Sequence, residues 1–156
     1  MKPKRKLLAW LFFALAILLI LFLTVQNSGR SGELSNRFLE CVYRFIKKTG
    51  LIEHPSALFY MIGYRGIRKL AHVAEYCLLG ISSMIVFGRS VNAFLKAVGL
   101  CAFISVADQF IKIFVPGREF DWTDLPYDMA GYLIGTLIVL LIIKIRTRRE
   151  KNEDRT

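Results

Sequence analysis

This chain has few acidic residues for its cations, and few cysteines. Asp and Glu number 12 against 22 Lys and Arg, and there are only 3 cysteines. Cys41, Cys77 and Cys101 are an odd count with no metal or redox spacing, which excludes a disulfide framework, a zinc module and a dithiol redox site. Cys77 and Cys101 fall inside apolar runs, where a cysteine behaves as a small hydrophobe. No nucleophile motif is present. No polar stretch is long enough for a sizeable water-soluble domain, and no basic face interleaved with aromatics is carried on one, so nucleic acid is excluded as a partner. The net charge of +10 instead belongs to cations flanking apolar segments. There each contributes about 1 kcal/mol beside anionic lipid.

The chain is rich in long hydrophobic runs: 54% of its residues are hydrophobic, more than an ordinary soluble domain carries. These gather into four blocks. Leu7 to Val25 is nineteen residues without a charge, close to the roughly 20 that cross a bilayer as a helix. The second block, 70–87, carries only His72 and Glu75. The third, 93–115, is interrupted by Lys96, Asp108 and Lys112, and the fourth, 125–145, has Asp128 near its start. Hydrocarbon forces each backbone to satisfy its own hydrogen bonds, so each block is predicted to be a helix. The first block has the basic start of a signal peptide. Its apolar run is too long for one, and Thr24-Val25-Gln26-Asn27 offers no small-x-small cleavage site, so it reads as a retained span.

Basic residues beside the spans give the expected orientation. Lys2, Lys4, Arg5 and Lys6 place the N-terminal segment 1–6 in the cytoplasm, and the charged tail 146–156 returns there after four spans. The link 88–92 is then cytoplasmic, while 26–69 and 116–124 are extracytoplasmic. The segment from Gln26 to Lys69 holds eight cations against three acids, against a simple count, but loops of this length weaken the rule. Within it, Leu34, Phe38, Cys41, Val42, Phe45 and Ile46 recur on one helical face, with Arg37, Glu40, Arg44, Lys47 and Lys48 elsewhere. Ser35 can cap that helix and Gly50 can stop it. This is an amphipathic helix with a basic polar face, suited either to the membrane interface or to packing on the bundle. Residues 58–67, apolar and aromatic with Gly63 and Gly66, read as a re-entrant or interfacial approach to span two. The fold class is therefore an all-α integral membrane protein: a bundle of four transmembrane helices with an amphipathic interfacial helix in the first outer loop.

Ionisable residues inside spans are costly and by default mark function. His72, Glu75 and Tyr76 share one face of span two. Asp108 and Lys112 are four apart near the end of span three, and Asp124 and Asp128 are four apart at the start of span four. If span two runs inward, all these groups lie at one depth, under the turn Val115-Pro116-Gly117-Arg118, and imply a polar pocket open to the outside. Each has a structural alternative. His72 and Glu75 can be a satisfied core pair. Asp108 and Lys112 can be a structural ion pair, with the lysine snorkelling. Asp124 can cap span four, with Pro126 in its first turn. Gly131 and Gly135 are a small-xxx-small pair that by default packs helices closely. Asp128 lies a turn too deep to be a cap.

These residues carry a resemblance. Arg68-Lys69-x-Ala71-His72-x-x-Glu75-Tyr76-x-x-Leu79-Gly80 resembles the signature of the VanZ family. So does Asp108 followed by Phe114-Val115-Pro116-Gly117-Arg118, Asp124, Asp128, Gly131 and Gly135, giving a VanZ-like core over 68–145. Where the family often reads Asp-Glu-x-x-Gln before the Pro-Gly-Arg turn, this chain reads Asp108-Gln109-Phe110-Ile111-Lys112. A carboxylate has become an amide and an amide a cation. The resemblance implies a multi-pass protein of the bacterial inner membrane, of a type whose archetype confers low-level teicoplanin resistance.

Three functions fit the pocket. The first is recognition of a phosphate or pyrophosphate headgroup, on a membrane lipid or cell-wall lipid precursor, by Arg68, Lys69, Lys112 and Arg118. Together with His72, Glu75, Tyr76, Asp108, Asp124 and Asp128 these form the candidate binding set. The second is an enzyme acting on an envelope lipid, with a metal held by the carboxylates and His72, and His72 or Glu75 as base. The third is a structural role beside another membrane protein. The residues name no cofactor and no catalytic set.

Overall fold

A run without charge or proline has no reason to leave the helix, and the computed structural model begins accordingly with α1, Pro3–Val25. The described residues are 3–26, 33, 37, 40, 41, 44, 47–49, 55–88 and 90–153. Three further long helices follow: α2, Pro55–Phe87; α3, Val91–Lys112; and α4, Leu125–Glu153. Each of the four contains a stretch long and apolar enough to cross a membrane: Lys4–Val25, Arg68–Phe87, Val91–Lys112 and Leu125–Arg148. The chain is a multi-pass, all-helical membrane protein.

The helix α2 packs against all three others and most extensively against α4. Its 33 residues extend about 50 Å at 1.5 Å per residue, well beyond the roughly 30 Å of hydrocarbon. Residues 58–67 belong to this helix. The re-entrant reading of that stretch is therefore corrected: the approach to the span is the first turns of the span's own helix. The third span also differs from expectation. Regular helix ends at Lys112 rather than 115, because the amides of Ile113, Phe114 and Val115 reach back only three residues. Gly117, at φ 75°, then supplies the left-handed conformation that reverses the chain.

Packing follows residue size. The buried stripe of α1 is Ala9, Phe13, Ala16, Ile20 and Thr24, at successive spacings of four, three, four and four. Its opposite face, with Leu8, Leu11, Leu15, Leu18 and Phe22 exposed, is the surface lipid covers. Between α2 and α4 the backbones touch. A Cβ on Gly135 would overlap the Cys77 carbonyl oxygen, one on Gly131 would sit 2.5 Å from that of Val73, and one on Gly80 would overlap that of Tyr132. The close packing expected of Gly131 and Gly135 is thus satisfied within the chain. Neither glycine is left to serve a partner protein.

Between the first two spans, Glu33, Arg37, Glu40, Cys41, Arg44 and residues 47–49 are helical and exposed. Arg37 pairs with Glu33 at 2.8 Å and Arg44 with Glu40 at 3.1 Å, each one turn apart. Cys41, assigned to the apolar stripe, is exposed. Leu34, Ser35, Phe38, Val42, Phe45, Ile46 and Gly50 lie outside the described residues.

Candidate functional site

At one end of the bundle, α1 and α3 finish while the membrane spans of α2 and α4 begin, and here the polar side chains meet. Asp108, on the last turn of α3, accepts a hydrogen bond from the Thr24 hydroxyl of α1. The Lys112 ammonium stands 3.2 Å from Asp108 Oδ2 and 3.1 Å from Asp124 Oδ2. On the other side of Asp124, His72 Nε2 lies 3.4 Å from the same Oδ2, and His72 Nδ1 is 3.1 Å from Asp128 Oδ1. Ser105 closes the chain by donating to Asp128 Oδ2 at 2.7 Å. Seven side chains from four helices form one buried network. Its ions are Lys112, 1% exposed, Asp108, 3%, Asp124, 4%, and Asp128, 0%. Charges desolvated to this degree persist only when paired and hydrogen-bonded.

Several sequence expectations change here. Lys112 does not snorkel: it is buried and paired inward with Asp108 and Asp124. Asp124 starts α4 through its backbone carbonyl, which accepts from the amides of Tyr127 and Asp128. Its carboxylate turns to Lys112 and His72 rather than capping the helix. A charge-assisted contact in a dry interior outweighs a neutral amide donor. The partners of His72 are Asp124 and Asp128, not Glu75. Glu75 is half-buried and, among the described residues, has no hydrogen bond or ion pair.

Above the network lies a cationic rim. Lys69 Nζ donates to Thr123 Oγ1 at 3.2 Å and sits 4.6 Å over the Tyr127 ring. Arg118 donates through Nη2 to the Leu23 carbonyl at 3.1 Å, tying the turn after α3 to α1. Its buried Nε has no partner. Burial lowers the Arg118 pKa from its ordinary value, and the charge of Arg68 adds to the effect. Arg68 itself is half-buried and has no ion pair among the described residues. In the loop between α3 and α4, Asp121 accepts from the amide and hydroxyl of Thr123 at 2.9 and 2.7 Å, which hold its pKa below the usual carboxylate range. The Asp121 amide in turn donates to Gln109 Oε1 at 3.4 Å. Phe110 meets Phe120 edge to face and Phe120 meets Trp122 at a tilt beside this loop, with centroids 5.6 and 4.5 Å apart; tryptophan is a residue favoured at a membrane–water boundary.

Polar atoms remain unsatisfied inside the site: Tyr76 Oη, Gln109 Nε2 and Arg118 Nε, together with His72 Nδ1 and Asp128 Oδ1. The last two are close in distance but misaligned for a hydrogen bond. Buried groups of this kind are rare and ask for a ligand or water. Tyr76, fully buried, stacks on His72 at 6.5 Å. Among the described residues no group of three or more His, Cys, Asp or Glu is arranged to hold a metal ion. The Lys112 ammonium occupies the place between Asp108 and Asp124 where a cation would go.

The VanZ/LLP1 family model matches residues 9–143. The chain belongs to the VanZ/LLP1 family. No curated protein and no solved structure matches it. The match extends the VanZ-like region beyond the motifs at 68–145 to include α1. That helix supplies Thr24 to Asp108 and the Leu23 carbonyl to Arg118, so the VanZ/LLP1 unit is a four-helix unit. Thr24 and Ser105 escaped the sequence reading because an uncharged hydroxyl in an apolar run has a local alternative, the carbonyl one turn back, as Thr24 shows with Ile20 at 2.8 Å. Depth was the available signal. Thr24 ends the first span at the level where Asp108 ends the third, and Ser105 lies one turn before Asp108.

Proposed function

We infer that this VanZ-like protein recognises a phosphate or pyrophosphate headgroup on a membrane lipid, such as a cell-wall lipid precursor. In this reading the Thr24 end faces out of a bacterial cytoplasmic membrane, with both termini inside. Holding such a lipid bears on how the envelope meets glycopeptides and lipoglycopeptides such as teicoplanin. The observation that supports it is the pair Arg68 and Arg118. These two guanidiniums interact electrostatically with each other at the mouth of the network. Neither has a carboxylate within ion-pair distance among the described residues, and Arg118 has an unsatisfied buried nitrogen. Guanidiniums match phosphate oxygens two at a time, and the buried network beneath fixes the helices that present them. Lys69 adds a third cation.

The test is binding by the purified protein of a polyprenyl pyrophosphate against the corresponding polyprenyl alcohol. The pyrophosphate should bind and the alcohol should not. Arg118→Gln and Arg68→Gln should each weaken binding about tenfold, the value of one charge-assisted hydrogen bond. Equal binding of alcohol and pyrophosphate would end the proposal. An enzymatic reading draws on Glu75, a carboxylate with no hydrogen bond or ion pair among the described residues and therefore available to a substrate proton. Release of inorganic phosphate from the same lipid, abolished in Glu75→Gln with binding intact, would establish hydrolysis over simple recognition.

Orientation has its own check. An impermeant thiol reagent applied to intact cells should label exposed Cys41 and leave Cys77 and the buried Cys101 unmodified. Labelling of a tag after Thr156 from outside, with Cys41 protected, would invert the topology.

A further inference from the structure

At the end of the bundle away from the polar network, residues of α1, α2 and α4 line a common space. A cavity of about 540 Å³ opens between them, within the range of sites that hold small organic ligands. Its walls are hydrocarbon: Ile81 and Ile85 of α2 face Ile138 and Ile142 of α4. Two of its lining residues are charged, and both are cationic: Arg5 on the first turns of α1 and Arg146 near the end of the span of α4. Both are exposed, and neither has an acidic partner among the described residues. Gly88, where α2 ends, also lines the space, and a Cβ there would meet nothing within 4 Å.

We propose that this groove is a binding site for an anionic glycerophospholipid, with an acyl chain between α2 and α4 and the phosphate held between Arg5 and Arg146. The occupant follows from the two chemistries present. An isoleucine-lined slot between membrane-spanning segments accepts a lipid tail and offers a soluble anion nothing. Two unpaired guanidiniums at the ends of their spans stand at headgroup depth, where one phosphodiester can satisfy both. Lys6 adjoins Arg5 and Lys144 lies two residues before Arg146; they make this end strongly positive, which favours a headgroup without a compensating cation. Basic pockets between transmembrane helices are a recurrent means of holding anionic lipid. The site is separate from the polar network and does not depend on the ligand assigned there.

Native mass spectrometry of delipidated, detergent-purified protein tests it, with dioleoylphosphatidylglycerol and dioleoylphosphatidylcholine added in turn. Phosphatidylglycerol should be retained in preference. Arg5→Gln and Arg146→Gln should each reduce retention about tenfold. Arg148→Gln, at the same end but outside the groove, should leave it unchanged. Ile142→Trp, which fills the slot, should reduce retention in protein whose thermal unfolding is unaltered. Inorganic phosphate should not displace the lipid. The proposal is overturned by equal retention of the two lipids, by an equal loss in Arg148→Gln, which would indicate diffuse attraction, or by displacement with phosphate alone, which would indicate an anion site without a tail.

Discussion

Gly135→Leu is expected to remove nearly all folded protein from the membrane, and Gly135→Ala to destabilise it by about 1–3 kcal/mol, the usual cost of forcing atoms into a filled interface. The position admits no side chain, because the Cys77 carbonyl oxygen occupies the space a Cβ would need. Backbone oxygens of a helix cannot rotate away as a side chain can. Relief requires α2 and α4 to separate, and that motion pulls His72 from Asp124 and Asp128. Gly99→Ala is the matched control. Gly99 is exposed on α3 with nothing near a new Cβ, so alanine there should be neutral or stabilising by up to about 1 kcal/mol through backbone entropy. Membrane abundance and detergent unfolding midpoints of the two variants decide the matter. If Gly135→Ala matched Gly99→Ala, the helices would not be in backbone contact.

Lys112→Met is expected to be comparably severe for a different reason. The substitution fits the volume but removes the ammonium between Asp108 and Asp124, leaving two carboxylates in a dry interior. Removing one partner of a buried pair costs roughly 3–5 kcal/mol, because the remaining charge is uncompensated. Adding Asp124→Asn to Lys112→Met should recover a substantial part of the loss, since one of the two stranded charges is then gone. The same Asp124→Asn change alone should be destabilising. Opposite signs in the two backgrounds are the mark of a direct pair, measurable as a double-mutant cycle. Additive losses would mean that Lys112 stabilises the fold through its stem and not its charge.

The four-helix architecture was legible because hydrocarbon leaves a backbone few choices, and the hydropathy of 7–25 or 125–145 admits little besides a helix. The length of α2 was not. Charge at Arg65, Arg68 and Lys69 ends the apolar run, yet past the hydrocarbon boundary a helix needs only its own hydrogen bonds to continue, so hydropathy and helix end at different residues. For the polar site, depth along the spans predicted which ions would meet: His72, Asp108, Lys112, Asp124 and Asp128 do share one network. Direction was beyond the sequence. The spacing of Asp108 and Lys112 allows the lysine to lie inward or outward. Only Asp124, brought from another helix by the Gly117 turn, makes inward the lower-energy choice. The same competition diverts the Asp124 carboxylate from its cap.

The arrangement of Asp108 and Lys112 has a consequence for how the protein is made. Synthesis runs from α1 to α4, so α3 reaches the insertion machinery ahead of Asp124 and the fourth helix. An unmatched Lys or Asp costs about 2.5–3.5 kcal/mol at a helix centre and less toward a span's end, where these two lie. Spaced one turn apart and 3.2 Å from each other in the finished bundle, the two side chains can neutralise one another within the nascent segment. The third helix thus carries its counterion with it into the lipid and exchanges that private pairing for the shared one when α4 arrives.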